Sequence, residues 1–377
     1  VNLVSVKLIK FLDKYVGTPI ILALALFSRS PKEVSYKNIL IIQLWGIGET
    51  LLTFPAISAL KKKFPNSKIT VLVTNRVYDT FSGLNFIDNI ALIKMSPLDI
   101  LTYSLRNFRK FDLVVDFEEY LNISSIISFF VGKERLGYNN RMRRVLTTKS
   151  VEYNDQQHVV ETHLDLVRLV GADAKPQKLI SPFIDEENKK EVEALLQKLK
   201  IKPEDTIIGI APGAAESARS RMWPLERFGK VAKDLTERYN AKVIFVGGPD
   251  EFITIQELKN SLEDKRIINL AGKTNIKQLF YLIGKCNVFI GNDSGPMHIA
   301  ASMGVKTIGL FGPNLPLRWG PFGKNNISLF KGKLCKYSPC INVHLGIVPE
   351  CYSGDNKCMK AITTEEVVNA AKKLVRK

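Results

Sequence analysis

The sequence predicts an α/β protein built from two Rossmann-like, doubly wound parallel-sheet domains. Three observations predict it. Short apolar runs alternate with helix-period segments along most of the chain, the pattern restarts after a proline-bearing stretch, and each half contains a strand that runs into a glycine-bearing polar turn and then a helix. At 377 residues the chain exceeds what one core ordinarily supports.

Residues 1–37 form an N-terminal segment whose apolar run, Ile20 to Phe27, is flanked by Lys7, Lys10 and Lys14 on one side and Arg29 and Lys32 on the other. The run is shorter than the roughly 20 residues a membrane span needs, and Asp13, Gly17 and Pro19 fit poorly with a signal peptide. The segment reads as a helix lying on an anionic membrane surface or packed on the domain.

The first domain is placed at 38–175. Residues 38–43 (NILIIQ) are a strand buried on both faces, the turn LWGIGE follows, and residues 49–63 form a helix with Glu49 at its start and lysines at its end, matching the helix dipole. Strands at 68–73, 89–93 and 112–116 alternate with helices near 76–82, 97–109 and 119–131; residues 139–148 are basic and read as loop, and 157–171 is an amphipathic helix. A linker at 176–184 carries Pro176 and Pro182.

The second domain, 185–360, opens with a helix at 186–199 and continues with strands at 206–210, 242–246, 266–269, 288–290 and 307–311, with helices between them. Residues 361–377 form a terminal helix capped by Thr363 or Thr364.

The formal charge of +17 is spread along the chain, which points to an anionic membrane surface or a phosphorylated ligand, while no zinc-finger spacing or ribonucleoprotein motif supports nucleic acid. Cys286 opens a buried strand. Cys335, Cys340, Cys351 and Cys358 are spaced too loosely for an ordinary zinc site, so free thiols come first, disulfides second and metal third.

Three loops should meet at the carboxyl edge of the second sheet: Pro212 to Trp223, Gly247 to Glu251, and Asn292 to His298. Gly213 lets a ligand approach the backbone, and Arg219 and Arg221 supply positive charge for a diphosphate without a metal. Asp250 or Glu251 stands where nucleotide folds often bind ribose, and Asp293, Ser294 and Gly295 open a helix whose N-terminus suits an anion, although Asp293 or Ser294 could serve only as a cap. In the first domain Gly46 and Gly48 shape the turn before Glu49, which is the candidate general base.

The stretches ILIIQLWGIGETLLTFPAISALKKKFP, GIAPGAAESARSRMWPLERF and GNDSGPMHIAASMGVKTIGLFGPNLPLRWGP resemble glycosyltransferase family 9, the ADP-heptose:lipopolysaccharide heptosyltransferases, and the likeness runs from Asn38 to the end. It implies two Rossmann-like domains facing across a cleft (the GT-B architecture) and inverting, metal-independent transfer with no cofactor. It further implies ADP-heptose or a similar nucleotide sugar as donor, a lipopolysaccharide-type acceptor, and a cytoplasmic enzyme peripheral on the inner face of the membrane. By motif, Arg221 matches the residue that contacts the donor diphosphate. Asp293, Ser294, Gly295 and His298, in one run with Pro296 and Met297, match the donor phosphate and sugar site, and Ser217 falls near a hydroxyl-bearing position.

The departures lie in the first turn. Where the family commonly has Ser-Ser-Leu-Gly-Asp, this chain has Trp45, Gly46, Ile47, Gly48 and Glu49, so the implied base is one methylene longer and the acceptor side is lined by Trp45, Gly46 and Gly48. Two alternatives stay open: a paralogue using another nucleotide sugar or glycan, and a catalytically silent sugar-nucleotide or glycan binder.

Overall fold

The computed structural model describes residues 13–28 and 35–375. It divides into two compact units: one runs to Pro176 and takes in Asn342–Ile347, the other comprises Gln177–Ile341 and Val348–Lys377.

In chain order the first unit contains α1 (Gly17–Ala25), β1 (Asn38–Ile42), α2 (Ile47–Lys63), β2 (Lys68–Val73), α3 (Tyr78–Phe81), β3 (Asn89–Leu92), α4 (Pro97–Arg106), β4 (Phe111–Asp116), α5 (Asn122–Val131), β5 (Gly132–Tyr138), β6 (Lys149–Val151) and α6 (Val159–Arg168). Its six strands are parallel in the order β3-β2-β1-β4-β5-β6. The unbroken apolar run of β1 is explained by its neighbours: Ile39 pairs with Ile69 of β2 on one side and Leu113 of β4 on the other. Strand order reverses between β1 and β4, so the loops that follow these two strands open at the same crevice.

Three strands were not expected from the sequence: β5 and β6 here and Ile327–Phe330 in the second unit. β5 carries Lys133, Glu134 and Arg135, which disguise it as loop, yet Arg135 is fully buried because its Nε donates to the Leu146 carbonyl at 2.6 Å and Nη1 to that of Lys133 at 3.1 Å. Burial pulls the Arg135 guanidinium down to about 10. The basic stretch 139–148, expected as loop, contains a 3-10 turn at Arg141–Leu146 that delivers Arg143 to the interior.

Of the N-terminal expectation, residues 1–12 and 29–34 lie outside the described residues. α1 docks on the first unit: Ile21 is buried with Ile126, Phe129 and Leu146, and the Asp13 carboxylate accepts from Asn122 N (3.0 Å) and Ile123 N (2.8 Å), capping α5.

The second unit contains α7 (Glu186–Lys198), β7 (Ile207–Ala211), α8 (Leu225–Tyr239), β8 (Lys242–Phe245), α9 (Phe252–Leu262), β9 (Ile267–Asn269), α10 (Ile276–Gly284), β10 (Val288–Asn292), α11 (Gly295–Ser302), β11 (Lys306–Phe311), α12 (Pro316–Trp319), β12 (Ile327–Phe330), α13 (Lys357–Lys360) and α14 (Thr364–Val375). Its six parallel strands run β12-β11-β10-β7-β8-β9. The expected pair of doubly wound parallel sheets is therefore present. Order reverses between β7 and β10, where Phe289 pairs with Gly209, and this reversal sets the loops after β7 and β10 side by side. Trp223, Phe228, Ile290, Leu310, Met359 and Leu374 belong to one buried core, so the terminal helix α14 is part of this unit's packing.

Candidate active site

Two of the three predicted loops of the second unit are joined at the carboxyl edge of the sheet by a residue to which the sequence assigned no role. Asn292, at the end of β10 and fully buried, donates from Nδ2 to the Pro212 carbonyl (2.6 Å) and accepts at Oδ1 from Trp223 N (3.0 Å). It thereby fastens both ends of the loop 212–223 to the start of the Asp-Ser-Gly-Pro turn. Trp223 is held from its other side by Nε1 donating to the Ile362 carbonyl at 3.0 Å.

Within that frame Asp293 is buried and does not cap α11. Its Oδ2 accepts from Asn314 Nδ2 at 2.8 Å and lies 3.4 Å from Arg221 Nη1, which also reaches the Asp293 carbonyl at 3.4 Å. Arg221 Nε is buried without a hydrogen-bond partner among the described residues. Ser294 occupies the N-cap position, but its hydroxyl donates to the Asn292 carbonyl at 3.3 Å and makes no cap bond. The first turn of α11 thus keeps its positive end without a capping side chain, beside a guanidinium.

The rest of the run divides. Pro296 occupies the first turn of α11, Met297 is fully buried with its Sδ where a Cβ on Gly309 would sit, and His298 is buried with its ring edge-on to Trp319 at 6.4 Å. Arg219 and Asp250 are exposed, and the side chain of Ser217 lies outside the described residues.

Glu251 is half-buried, and its Oε2 accepts from Gly248 N at 2.7 Å. Its other oxygen lies so close over Gly213 that a Cβ there would stand 1.6 Å away, so any side chain at this position would have to push the carboxylate aside. Burial raises the Glu251 carboxyl, opposed by the Gly248 N–H and helped by the charge of Asp250.

In the first unit, Gly46 takes φ +74°, a conformation that favours glycine, and Glu49 in the first turn of α2 folds back so that its Oε2 would meet a Gly46 Cβ at 2.4 Å. The turn is fixed by Glu118, two residues after the end of β4, whose Oε1 accepts from Leu44 N (2.6 Å) and Trp45 N (3.3 Å). Burial drives the Glu118 carboxyl well above its ordinary range; the Leu44 N–H opposes this, and the charges of Asp116 and Glu49 add to it.

Beneath the turn, Arg143 pairs with Asp116 at 2.6 Å, both side chains buried, and donates from Nε to Ser125 Oγ at 2.8 Å. Sequence reasoning missed Asp116, Glu118 and Arg143; a run of acids closing a buried strand (Asp116, Glu118, Glu119) was the available signal.

All five cysteines are free thiols, and burial pushes Cys358 up to about 11 with the charges of Cys335, Cys340 and Cys351 contributing. Among the described residues no group of three or more His, Cys, Asp and Glu side chains is placed to hold a metal ion.

Comparison with known proteins accords with this arrangement. The chain is 26% identical over 336 residues to lipooligosaccharide heptosyltransferase 2 of Campylobacter jejuni, covering 88% of this chain and 96% of the relative. Among solved structures, a glycosyltransferase family 9 protein from Veillonella parvula superposes with a TM-score of 0.77 at 24% identity, covering 91% of this chain and 98% of that one. The E. coli ADP-heptose lps heptosyltransferase II superposes with a TM-score of 0.69 at 20% identity over 90% and 98% of the two chains. Residues 101–341 match the model of glycosyltransferase family 9 (heptosyltransferase), and with more than half its length so matched the chain belongs to that family of glycosyltransferases.

Proposed function

We propose that this enzyme moves a heptose-like sugar from an ADP-sugar to a hydroxyl of a lipopolysaccharide-core type glycolipid, with inversion and without a metal ion. The observation that carries the reading is the grouping of Arg221, Asp293 and the uncapped start of α11 at the strand-order reversal of the second unit. Positive charge supplied by a guanidinium and a helix N-terminus suits a diphosphate, and suits it better as charge builds on the leaving group.

In the reaction so read, the Glu49 carboxylate takes the proton of the acceptor hydroxyl. The acceptor oxygen bonds to the anomeric carbon as the bond from that carbon to the diphosphate breaks, and the electron pair leaves with ADP. One displacement gives one inversion. Asp293 holds Arg221 in place, and we infer that Glu251 or Asp250, in the loop after β8, reads the ribose hydroxyls. Trp45, Gly46 and Gly48 shape the acceptor side, which we infer seats its sugar differently from a serine-bearing turn. An acceptor of this class is anchored in a bilayer, so we place the enzyme in the cytoplasm against the inner membrane face.

Calorimetric titration with ADP-heptose, ADP-glucose, UDP-glucose and GDP-mannose in chelator-treated buffer tests the reading. Preference for ADP-heptose, followed by transfer to a heptose-bearing core acceptor and an inverted anomeric signal by NMR, is expected. Preference for another nucleotide sugar makes the chain a paralogue, and binding without turnover makes it a silent binder.

A further inference from the structure

Half of the large apolar side chains left exposed among the described residues lie on two short segments of the first unit, residues 15–27 and 98–108. On α4, Leu98, Leu101 and Leu105 recur at helical spacing on one face and Phe108 continues the line; all four are between 54% and 73% exposed. A surface helix ordinarily turns its apolar stripe toward the core. In α4 that role is already filled by Ile100 and Tyr103, which pack with Val114 and Ile127. The outer stripe is therefore surplus to folding.

Its fringe carries one sign of charge. Residues 92–110 contain Lys94, Arg106, Arg109 and Lys110 against a single acid, Asp99, whose carboxylate accepts from Ser96 Oγ at 2.7 Å. Arg109 spans the rings of Phe108 and Phe129, holding Phe108 at the helix end. Lys94, Arg106 and Tyr103 also line a cavity of about 400 Å³ beside the stripe. α1 repeats the pattern. It packs through Ile21 on α5 and leaves Ile20, Leu26 and Phe27 exposed, and Phe130 of α5 joins both the α1 and the α4 clusters.

We propose that the outer faces of α4 and α1, flanking α5, seat the protein on an anionic lipid bilayer. The leucines and Phe108 enter the boundary between headgroups and acyl chains, and the exposed heads of Lys94, Arg106 and Lys110 meet lipid phosphates, while Arg109 donates to the Gly132 carbonyl at 2.6 Å and serves to hold Phe108. The occupant is a bilayer because the exposed leucines and Phe108 are fringed by Lys94, Arg106 and Lys110 with Asp99 as the one acid of the segment, an apolar stripe bordered by the charge that anionic lipid headgroups attract. The inference deepens the reading of the acceptor as a membrane glycolipid and rests on that reading for its purpose.

Flotation of the full chain with vesicles of phosphatidylethanolamine and phosphatidylglycerol, against pure phosphatidylcholine, tests it on wild type, Leu101→Ser/Leu105→Ser and Arg106→Glu/Lys110→Glu. Wild type is expected to float with the anionic vesicles, and each double variant to lose about tenfold or more in partition while keeping its melting temperature and its titration with ADP. Variants that float like wild type, or wild type that floats equally with phosphatidylcholine, would overturn the proposal. So would a wild-type dimer that Leu101→Ser/Leu105→Ser splits with flotation unchanged, since a second copy would then be the occupant. Flotation that depends on α4 with no transfer to any lipid-linked acceptor sinks the acceptor reading alone; transfer to a detergent-dispersed acceptor with no vesicle binding sinks the docking surface alone.

Discussion

Arg221 Nη1 lies 3.4 Å from both the carboxylate and the carbonyl oxygen of Asp293, so one buried aspartate orients the guanidinium proposed to meet the donor diphosphate. Replacing Arg221 with alanine removes that charge and leaves Asp293 with Asn314 as its hydrogen-bond donor. We expect Arg221→Ala to weaken ADP binding by about 10- to 100-fold, and Arg221→Lys to recover only part of it, because a lysine offers one point of charge instead of a planar fork. Calorimetry on both variants checks this; equal affinity in wild type and Arg221→Ala would remove Arg221 from the donor site.

The first-unit turn makes a second prediction. Glu49→Gln should lower transfer by about 100-fold or more with donor affinity unchanged, as loss of a general base does. Glu118→Ala should lower transfer through a different route, by releasing the Leu44 and Trp45 N–H groups it accepts from, and should also lower the melting temperature. Glu49→Gln with full turnover would exclude Glu49 as the base.

Gly213 and Glu251 should be coupled. A methyl at Gly213 would displace the Glu251 carboxylate from Gly248 N, so Gly213→Ala is expected to destabilise the protein by about 1 kcal/mol. In the Glu251→Ala background the same change should cost close to nothing. Denaturant titration of the four proteins of this cycle measures the coupling, and additive effects would show that the carboxylate does not set the need for glycine.

His163 predicts a pH dependence. Its ring accepts or donates at Nδ1 with the Tyr138 hydroxyl at 2.7 Å, and burial pulls its pKa from 6.5 down to about 3. The unfolded chain therefore takes a proton at this residue as pH falls below 6.5 while the folded chain stays neutral until near 3. The stability that neutral His163 contributes is fully present above 6.5 and is lost across that window, by about 3 kcal/mol at pH 4.5. His163→Gln should be less stable at pH 7 yet show a shallower fall in melting temperature between pH 6.5 and 4. Parallel curves for the two proteins would contradict the assignment.

The sequence by itself determined the doubly wound class, the strands of the two sheet centres and the Asp-Ser-Gly-Pro-Met-His turn, because a strand buried on both faces must be apolar throughout and a turn into a helix needs small or capping residues. It also led to Glu49 and Arg221 through the stretches that resemble the family. Tertiary structure alone decided what holds these groups. Glu118 meets Leu44 from 74 residues away, Asn292 meets Pro212 from 80, and Arg143 reaches Asp116 from a stretch that reads as basic loop. It also made β5 a strand by burying Arg135 against backbone carbonyls, and it left the leucines of α4 exposed. Local pattern reports which faces are apolar and where the backbone can turn. Which polar group satisfies a buried partner, and whether an apolar face is covered, depends on chain segments that sequence proximity does not bring together.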